Sequence, residues 1–338
     1  MNDSNTIRIQ ASQMESEFMR ILLKLGFQEG KAQTCASVFT NNSLEGVLSH
    51  GINRFPRFVK YIRNGHIHID AEPELVHSAG AIEQWNGNLG PGILNAVKCT
   101  ERAMELAKTS GIGCVALANT NHWMRGGTYG RQAAKAGFVF IGWTNTIGNM
   151  PAWGATDNKL GNNPLVIAIP HNNEPIVLDM AMSQYSYGQM EKMQLEGSKL
   201  DFAGGYNSSN QLTCDPAEIL ESKRPLPIGY WKGAGLSLLL DILAAILSGG
   251  LSTSQISQKQ DEISVSQVFI AFDIQKLSNF PTIQNTISEI ISDYKNAVPA
   301  DQHSEIRYPG ERNAAIRATN LRNGIPVNAT IWIEVLAL

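Results

Sequence analysis

Cysteine is scarce in this chain of 338 residues. The four present, Cys35, Cys99, Cys114 and Cys214, are scattered and form no CxxC pair. That excludes a disulfide-stapled scaffold and a cysteine zinc site, and reads as reduced thiols in a cytoplasmic protein. An excess of one charge is also lacking. The formal net charge is -3 and both signs are interspersed without a tail, so no nucleic-acid partner is expected. Long apolar runs are missing too. The most apolar, Leu236 to Leu247, is interrupted by Ser237 and Asp241, too short to span a bilayer, so no membrane partner is expected. The polar start, Met1-Asn2-Asp3-Ser4-Asn5, lacks the pattern of a secretory signal. Several catalytic signatures are absent as well: Walker A, HExxH and GxSxG, and no metal site is expected. No GxGxxG follows a predicted strand. Gly87-Asn88-Leu89-Gly90-Pro91-Gly92 carries proline where a Rossmann turn would enter its helix.

What is present is a globular composition, 43% hydrophobic, in a chain long enough for two or three lobes. Residues 1–110 read mostly as helix. Ser12-Gln13-Met14-Glu15 has the pattern of a capping box, and Met14, Phe18, Leu22 and Leu25 follow at helical spacing. A second helix is predicted from Lys31 to Gly46 and a third from Ile93 to Lys108. From Gly113 the rhythm changes to short apolar runs bounded by turn formers. Strands are predicted at 113–118, 138–143, 165–169 and 175–179, with a short helix at 129–136 between the first two. Residues 185–230 read as a long loop region with short elements. A buried helix is predicted at 234–247, a strand at 268–274, helices at 281–297 and 311–322, and a last strand at 331–336.

The chemistry-bearing stretch is Ser49-His50-Gly51 followed by Arg54. Histidine exchanges a proton near neutral pH, and arginine can hold a carboxylate through two parallel bonds. The alternative is a polar residue closing a helix. Asn121-His122-Trp123-Met124-Arg125-Gly126-Gly127 follows a predicted strand, a usual place for ligand contacts. Its two glycines would let backbone approach a ligand, or make a tight turn. Asp179 ends a predicted strand, where it would accept hydrogen bonds from a ribose or cap a helix. Tyr230-Trp231-Lys232-Gly233 and Arg307-Tyr308-Pro309-Gly310-Glu311 each precede a helix, whose free N–H groups suit a phosphate or carboxylate.

Six motifs then fall in a telling order: Ser49-His50-Gly51 with Arg54, Asn121-His122, Trp153-Gly154, Gly161-Asn162-Asn163-Pro164-Leu165, Leu178-Asp179-Met180-Ala181 and Tyr230-Trp231-Lys232-Gly233. Each is weak alone, but together they are specific and cover essentially the whole chain. The sequence resembles the malate/L-lactate/ureidoglycolate dehydrogenase family of NAD(P)-dependent 2-ketoacid oxidoreductases. Asn162 stands where relatives often have threonine and keeps a hydrogen-bonding side chain. The resemblance implies an α/β fold with a non-Rossmann, mixed-sheet NAD-binding lobe and a helical lobe from both chain ends. The divisions expected are 1–110 in the helical substrate and dimer lobe, 111–265 in the NAD-binding lobe, and 266–338 returning to the first. By the same resemblance His50 is the proton donor. NADH would lie along Glu174, Pro175, Ile176, Val177, Leu178, Asp179 and Met180, near Trp231 and Lys232, and near Gly310, Glu311 and Arg312, with NADPH left open. A cytoplasmic homodimer acting on a sugar acid is implied. From residue type and placement, Arg54 is assigned to the substrate carboxylate, and His122 and Arg125 to its hydroxyls. Another 2-hydroxy acid as substrate, or a non-catalytic sugar-acid binding protein, are the alternatives.

Overall fold

The computed structural model describes residues 5–172, 174–301 and 305–338. The chain opens with β1 (Thr6–Ile9), α1 (Ala11–Lys24) and α2 (Glu29–Leu44). Met14, Phe18, Ile21 and Leu22 of α1 are buried at helical spacing. The expected capping box does not form. The helix starts at Ala11 from an extended Gln10 that makes no side-chain cap bond, because β1 ends at Ile9 and hands the chain over in one residue. Two 3-10 turns, Leu48–His50 and Ile52–Arg54, lead into α3 (Phe55–Arg63). Stacked Phe18 and Phe55, with ring centroids 4.1 Å apart, lie in the core of this helical lobe.

A hairpin follows that the sequence reading missed, β2 (Glu74–Ala79) and β3 (Ile82–Asn86), turning at Gly80 with φ +64. Every residue of β2 is exposed, so no alternation marks it in the sequence. Next come α4 (Gly92–Ser110), β4 (Ile112–Thr120), α5 (Gly127–Lys135) and β5 (Phe138–Thr144). Short β6 (Met150–Pro151) pairs with β7 (Asn158–Leu160), and β8 (Leu165–Ile169) with β9 (Ile176–Met180). The region expected to be a long loop with short elements holds α6 (Tyr187–Leu195), β10 (Gly205–Tyr206), β11 (Leu212–Thr213) and α7 (Pro216–Ser222). These pack on their own small core of Tyr185, Met190, Leu200 and Ile219. Then follow α8 (Trp231–Ser248), α9 (Thr253–Ser257), β12 (Val265–Asp273), α10 (Ile283–Lys295), α11 (Glu311–Asn323), β13 (Ile325–Asn328) and α12 (Ala329–Leu336).

Seven strands form one mixed sheet in the order β2-β3-β4-β12-β5-β8-β9. Only β3 and β4 are parallel, joined through α4; every other pairing is antiparallel. Helices α4 and α5 pack on this sheet, and so does α8, in separate apolar clusters. The divisions expected at 110 and 265 are crossed by the sheet. β2 and β3 come from the first segment, and β12 runs through the second boundary to sit at the centre. The C-terminal chain then returns to the first lobe, where β13 pairs with β1.

Two further expectations change. Residues 331–336 belong to α12 rather than a strand, and the strand lies earlier, at Ile325–Asn328. The helix expected to be buried, α8, buries one side only: Leu238, Leu239, Ile242 and Ile246 are exposed. It has the length and hydropathy of a membrane span. Its Asp241, however, accepts hydrogen bonds from the Asn145 side chain and the Thr253 amide at 2.9 and 2.8 Å, which ties it into the body of the fold.

Candidate active site

His50 sits at the end of a 3-10 turn just beyond α2, and its neighbour Gly51 explains part of the motif. A Cβ at Gly51 would lie 2.2 Å from Ser43 Oγ and 2.9 Å from the Ser43 backbone nitrogen. The glycine is there so that the turn can press against α2. Ser43 Oγ donates to the Phe39 carbonyl and accepts the Ile52 amide at 2.9 Å. Asn42 donates to the His50 carbonyl at 2.9 Å, while its side-chain oxygen accepts from Thr128 Oγ1 at 2.9 Å. The turn is thus fixed both to α2 and to the start of α5.

Ser49 Oγ lies 3.1 Å from His50 Nδ1, and the His122 ring stacks near-parallel with that of His50 at 5.8 Å. Burial, aided by the Arg54 and Arg125 guanidiniums, pulls the His50 pKa down to about 4. His122 accepts the Met124 amide on Nδ1 at 2.9 Å, so its neutral ring carries hydrogen on Nε2. Burial, then Arg54, His50 and Arg57, holds it well below the usual histidine range.

Arg54 reaches the same place from the second turn. Its Nη2 is 3.5 Å from Glu262 Oε2, a long contact that leaves guanidinium donors free, and Glu262 Oε1 accepts the Ile147 amide at 3.4 Å. Arg54, Arg57, Tyr61, Asn121, His122 and Met124 line a small cavity. The structure therefore brings His50, His122 and Arg54 together.

Arg125 goes elsewhere. It is buried against Glu45, with its Nε 3.7 Å from Asp179, and is not presented to hydroxyls. Glu45, only 6% exposed, also has Arg131 and Arg317 at 3.6 and 3.8 Å. A buried carboxylate needs such partners. Gly126 and Gly127 likewise serve packing rather than ligand approach. Added Cβ atoms would strike Val166 at 2.6 Å and Asp179 Oδ2 at 2.9 Å. Asp179 accepts the Gly127 amide at 2.8 Å and so caps α5, the second of its two readings. Burial raises its pKa against the pull of Arg125.

The segments expected to hold the cofactor meet at the free edge of the sheet. β9 is the last strand, and the Val177 amide donates to the Pro309 carbonyl at 3.3 Å. Gly310, with φ +88, lies against Val177: a Cβ there would sit 3.2 Å from its backbone. Glu311 opens α11 and binds Lys295 at 2.7 Å. Glu174 pairs with Arg131. Ile228 donates its amide to Met182 at 2.8 Å, so Trp231 and Lys232, which start α8, lie beyond the C-terminal end of β9. Lys232 stands 6.0 Å from the Trp231 ring centroid. Thr146, Asn162 and Asn163 form a separate network in which Asn163, fully buried, holds the Thr146 amide and Ser237.

Sequence reading missed Glu45, Arg57 and Glu262. The one local signal was a carboxylate at the end of the otherwise uncharged run Thr40 to Leu44.

The sequence pattern of the malate/L-lactate dehydrogenase family matches residues 9–336. The chain is 43% identical to the 2,3-diketo-L-gulonate reductase of Mannheimia succiniciproducens over 334 residues, 98% of this chain and 100% of that one. The sulfolactate dehydrogenase of Methanocaldococcus jannaschii, 27% identical, superposes with a TM-score of 0.89 over 98% of each chain. The malate dehydrogenase of Pyrococcus horikoshii OT3, 29% identical, gives a TM-score of 0.88 over 98% of this chain and 94% of its own. With the His50 site and the mixed sheet in place, the chain is an oxidoreductase that belongs to the malate/L-lactate dehydrogenase family.

Proposed function

We propose that this protein reduces 2,3-diketo-L-gulonate to 3-dehydro-L-gulonate with NADH, and that His50 donates the proton. The observation that carries this reading is the His50 ring stacked on His122, which shares a cavity with Arg54, in a chain 43% identical to a reductase of that name.

The residues at the β9 edge suit a dinucleotide. Gly310 lets the start of α11 pack directly against Val177 of β9. Helices α8 and α11 start there, so their positive dipole ends lie at this edge, and Lys232 is exposed, with no carboxylate within ion-pair distance among the described residues. Glu174 to Met180, Trp231, Lys232 and Gly310 to Arg312 are the residues that would hold it. When bound, the reduced nicotinamide supplies a hydride to the C2 carbonyl carbon. Asp179, turned to the Gly127 amide, gives no ground for excluding a 2′-phosphate, so NADH is distinguished from NADPH by assay.

Arg54 holds the C1 carboxylate. That negative charge offsets the guanidinium field at His50 and lifts its pKa toward the working range. Protonated His50 then steadies the charge growing on the C2 oxygen and gives up its proton to it, leaving a hydroxyl and a neutral imidazole. Help of this kind is worth roughly 10²–10⁴-fold. His122 lies beside His50 and faces the same substrate.

The test is His50→Gln, followed as NADH and NADPH oxidation with 2,3-diketo-L-gulonate, pyruvate and oxaloacetate. Turnover should fall by about 10²-fold or more; turnover near the wild-type rate removes His50 from the acid role. Preference for a small 2-oxo acid would replace the substrate with that of a malate- or lactate-type enzyme. Tight binding without nucleotide oxidation would leave only a sugar-acid binding protein.

A second copy of this chain is our assignment for the exposed apolar side of α8, which presents Leu238, Leu239, Ile242 and Ile246 along one stripe. The free thiols suit a reducing cytoplasm.

A further inference from the structure

Arg57 has no part in the chemistry above, yet it lines the same cavity as Arg54 and His122. It lies one helical turn past Arg54, on α3, so the two guanidiniums reach the cavity from neighbouring positions. Their surroundings differ. Arg54 is opposed by Glu262 at 3.5 Å. Arg57 instead binds a neutral group: its Nη2 donates to Tyr61 Oη at 2.8 Å, and its guanidinium carbon lies 5.1 Å from the Tyr61 ring centroid. Among the described residues no carboxylate oxygen comes within ion-pair distance of it.

The tyrosine is itself held. Its hydroxyl donates to Asp261 Oδ1 at 3.1 Å, and Asp261 Oδ2 lies 3.0 Å from His66 Nε2. With its proton given to Asp261, Tyr61 Oη meets Arg57 only as an acceptor. The chain His66, Asp261, Tyr61, Arg57 therefore aims a guanidinium with unspent donors at the cavity. Arg125 is the contrast: a guanidinium buried against and neutralised by Glu45. A single 2-oxo acid needs one fork, for its carboxylate. A second, pre-aimed fork calls for a second oxygenated centre on the substrate.

We infer that Arg57 sets substrate specificity by binding the oxygen functions at C3 and beyond in a 2,3-dioxo sugar acid, while Arg54 holds C1. This rests on the reading of the substrate given above. Arg57 touches no reacting atom. It discriminates between a substrate that carries the second oxygen and one that does not, because its exposed donors exchange water for a charge-assisted partner only with the former.

The experiment compares wild type with Arg57→Gln and Arg57→Lys. It measures kcat/KM with NADH and binding by calorimetry, each for 2,3-diketo-L-gulonate, oxaloacetate and pyruvate. For Arg57→Gln, kcat/KM and affinity for the dioxo acid should fall about tenfold or more, with pyruvate changed less than about twofold. Arg57→Lys should recover part of the loss. Equal effects on dioxo acid and pyruvate, or none on either, overturn the inference and leave the substrate reading standing. A loss confined to oxaloacetate would assign Arg57 to a second carboxylate and overturn it too. If wild type neither binds nor reduces the dioxo acid, both readings fail. If it binds without reducing, the substrate reading fails and the binding ratio still decides the role of Arg57.

Discussion

A histidine that ionises near pH 4 in the free protein is an unusual acid, and this sets the pH behaviour of single residues here. Burial and two guanidiniums depress His50, so at neutral pH it is uncharged until a carboxylate arrives. kcat/KM reports the free protein. For reduction, which needs the imidazolium, it should fall about tenfold per pH unit between about pH 5 and 8. For the reverse oxidation, which needs the neutral ring, it should stay level over the same range. A flat reduction profile would contradict the assignment. Stability moves by the same linkage. The folded pKa lies below the unfolded one, so the unfolded chain takes up a proton first. The contribution of His50 is therefore complete above about 6.5 and is lost as pH falls through about 4. Glu45 is buried among three arginines drawn from segments distant in sequence. No local pattern could reveal that, and the same holds for Arg57, whose role depends on Asp261 some 200 positions away.

At the scale of elements, the Ser-His-Gly turn is built as a close contact. Gly51→Ala would push a methyl onto Ser43 Oγ and backbone. Such overpacking costs about 1–3 kcal/mol. Thermal or urea unfolding should register it along with reduced kcat, since the same turn carries His50. Gly235→Ala in α8, where the space is open, is the matched control and should be neutral or slightly stabilising. Elements of this kind were partly legible. The buried strands β4, β5, β8 and β12 were readable because runs such as Leu165 to Ile169 are apolar throughout and bounded by turn formers. α12 was not. Its Ile331-Trp332-Ile333 reads as a strand, and only the burial of Trp332 and Val335 at a spacing of three, with Ile333 65% exposed, marks the helix. Around α6 and α7 short elements were expected but not placed, because the glycine-, serine- and asparagine-containing stretches between them break any periodicity.

For the whole molecule, the two lobes are interwoven rather than strung in line, and residue pairs such as Ile9 and Ile325 close the chain on itself. The motifs in their order pointed to this fold; the sheet order could not be read, since strand pairing across more than a hundred residues leaves no local trace. The apolar side of α8 is the largest-scale feature with a direct test. Leu239→Glu with Ile246→Glu should turn a sedimenting dimer into a folded monomer. A wild-type protein that is already monomeric at micromolar concentration would remove the second copy from that face.

The central place of β12 has a consequence for how the protein is made. Until residue 273 has left the ribosome, β4 and β5 each lack the neighbour that separates them in the finished sheet. From the completion of β5 at residue 144 until β12 emerges, the nascent chain therefore carries two unpaired apolar edges in its interior. Translation that stalls before Val265 leaves a product that cannot complete its own sheet, and such truncated chains become clients of chaperones and proteases.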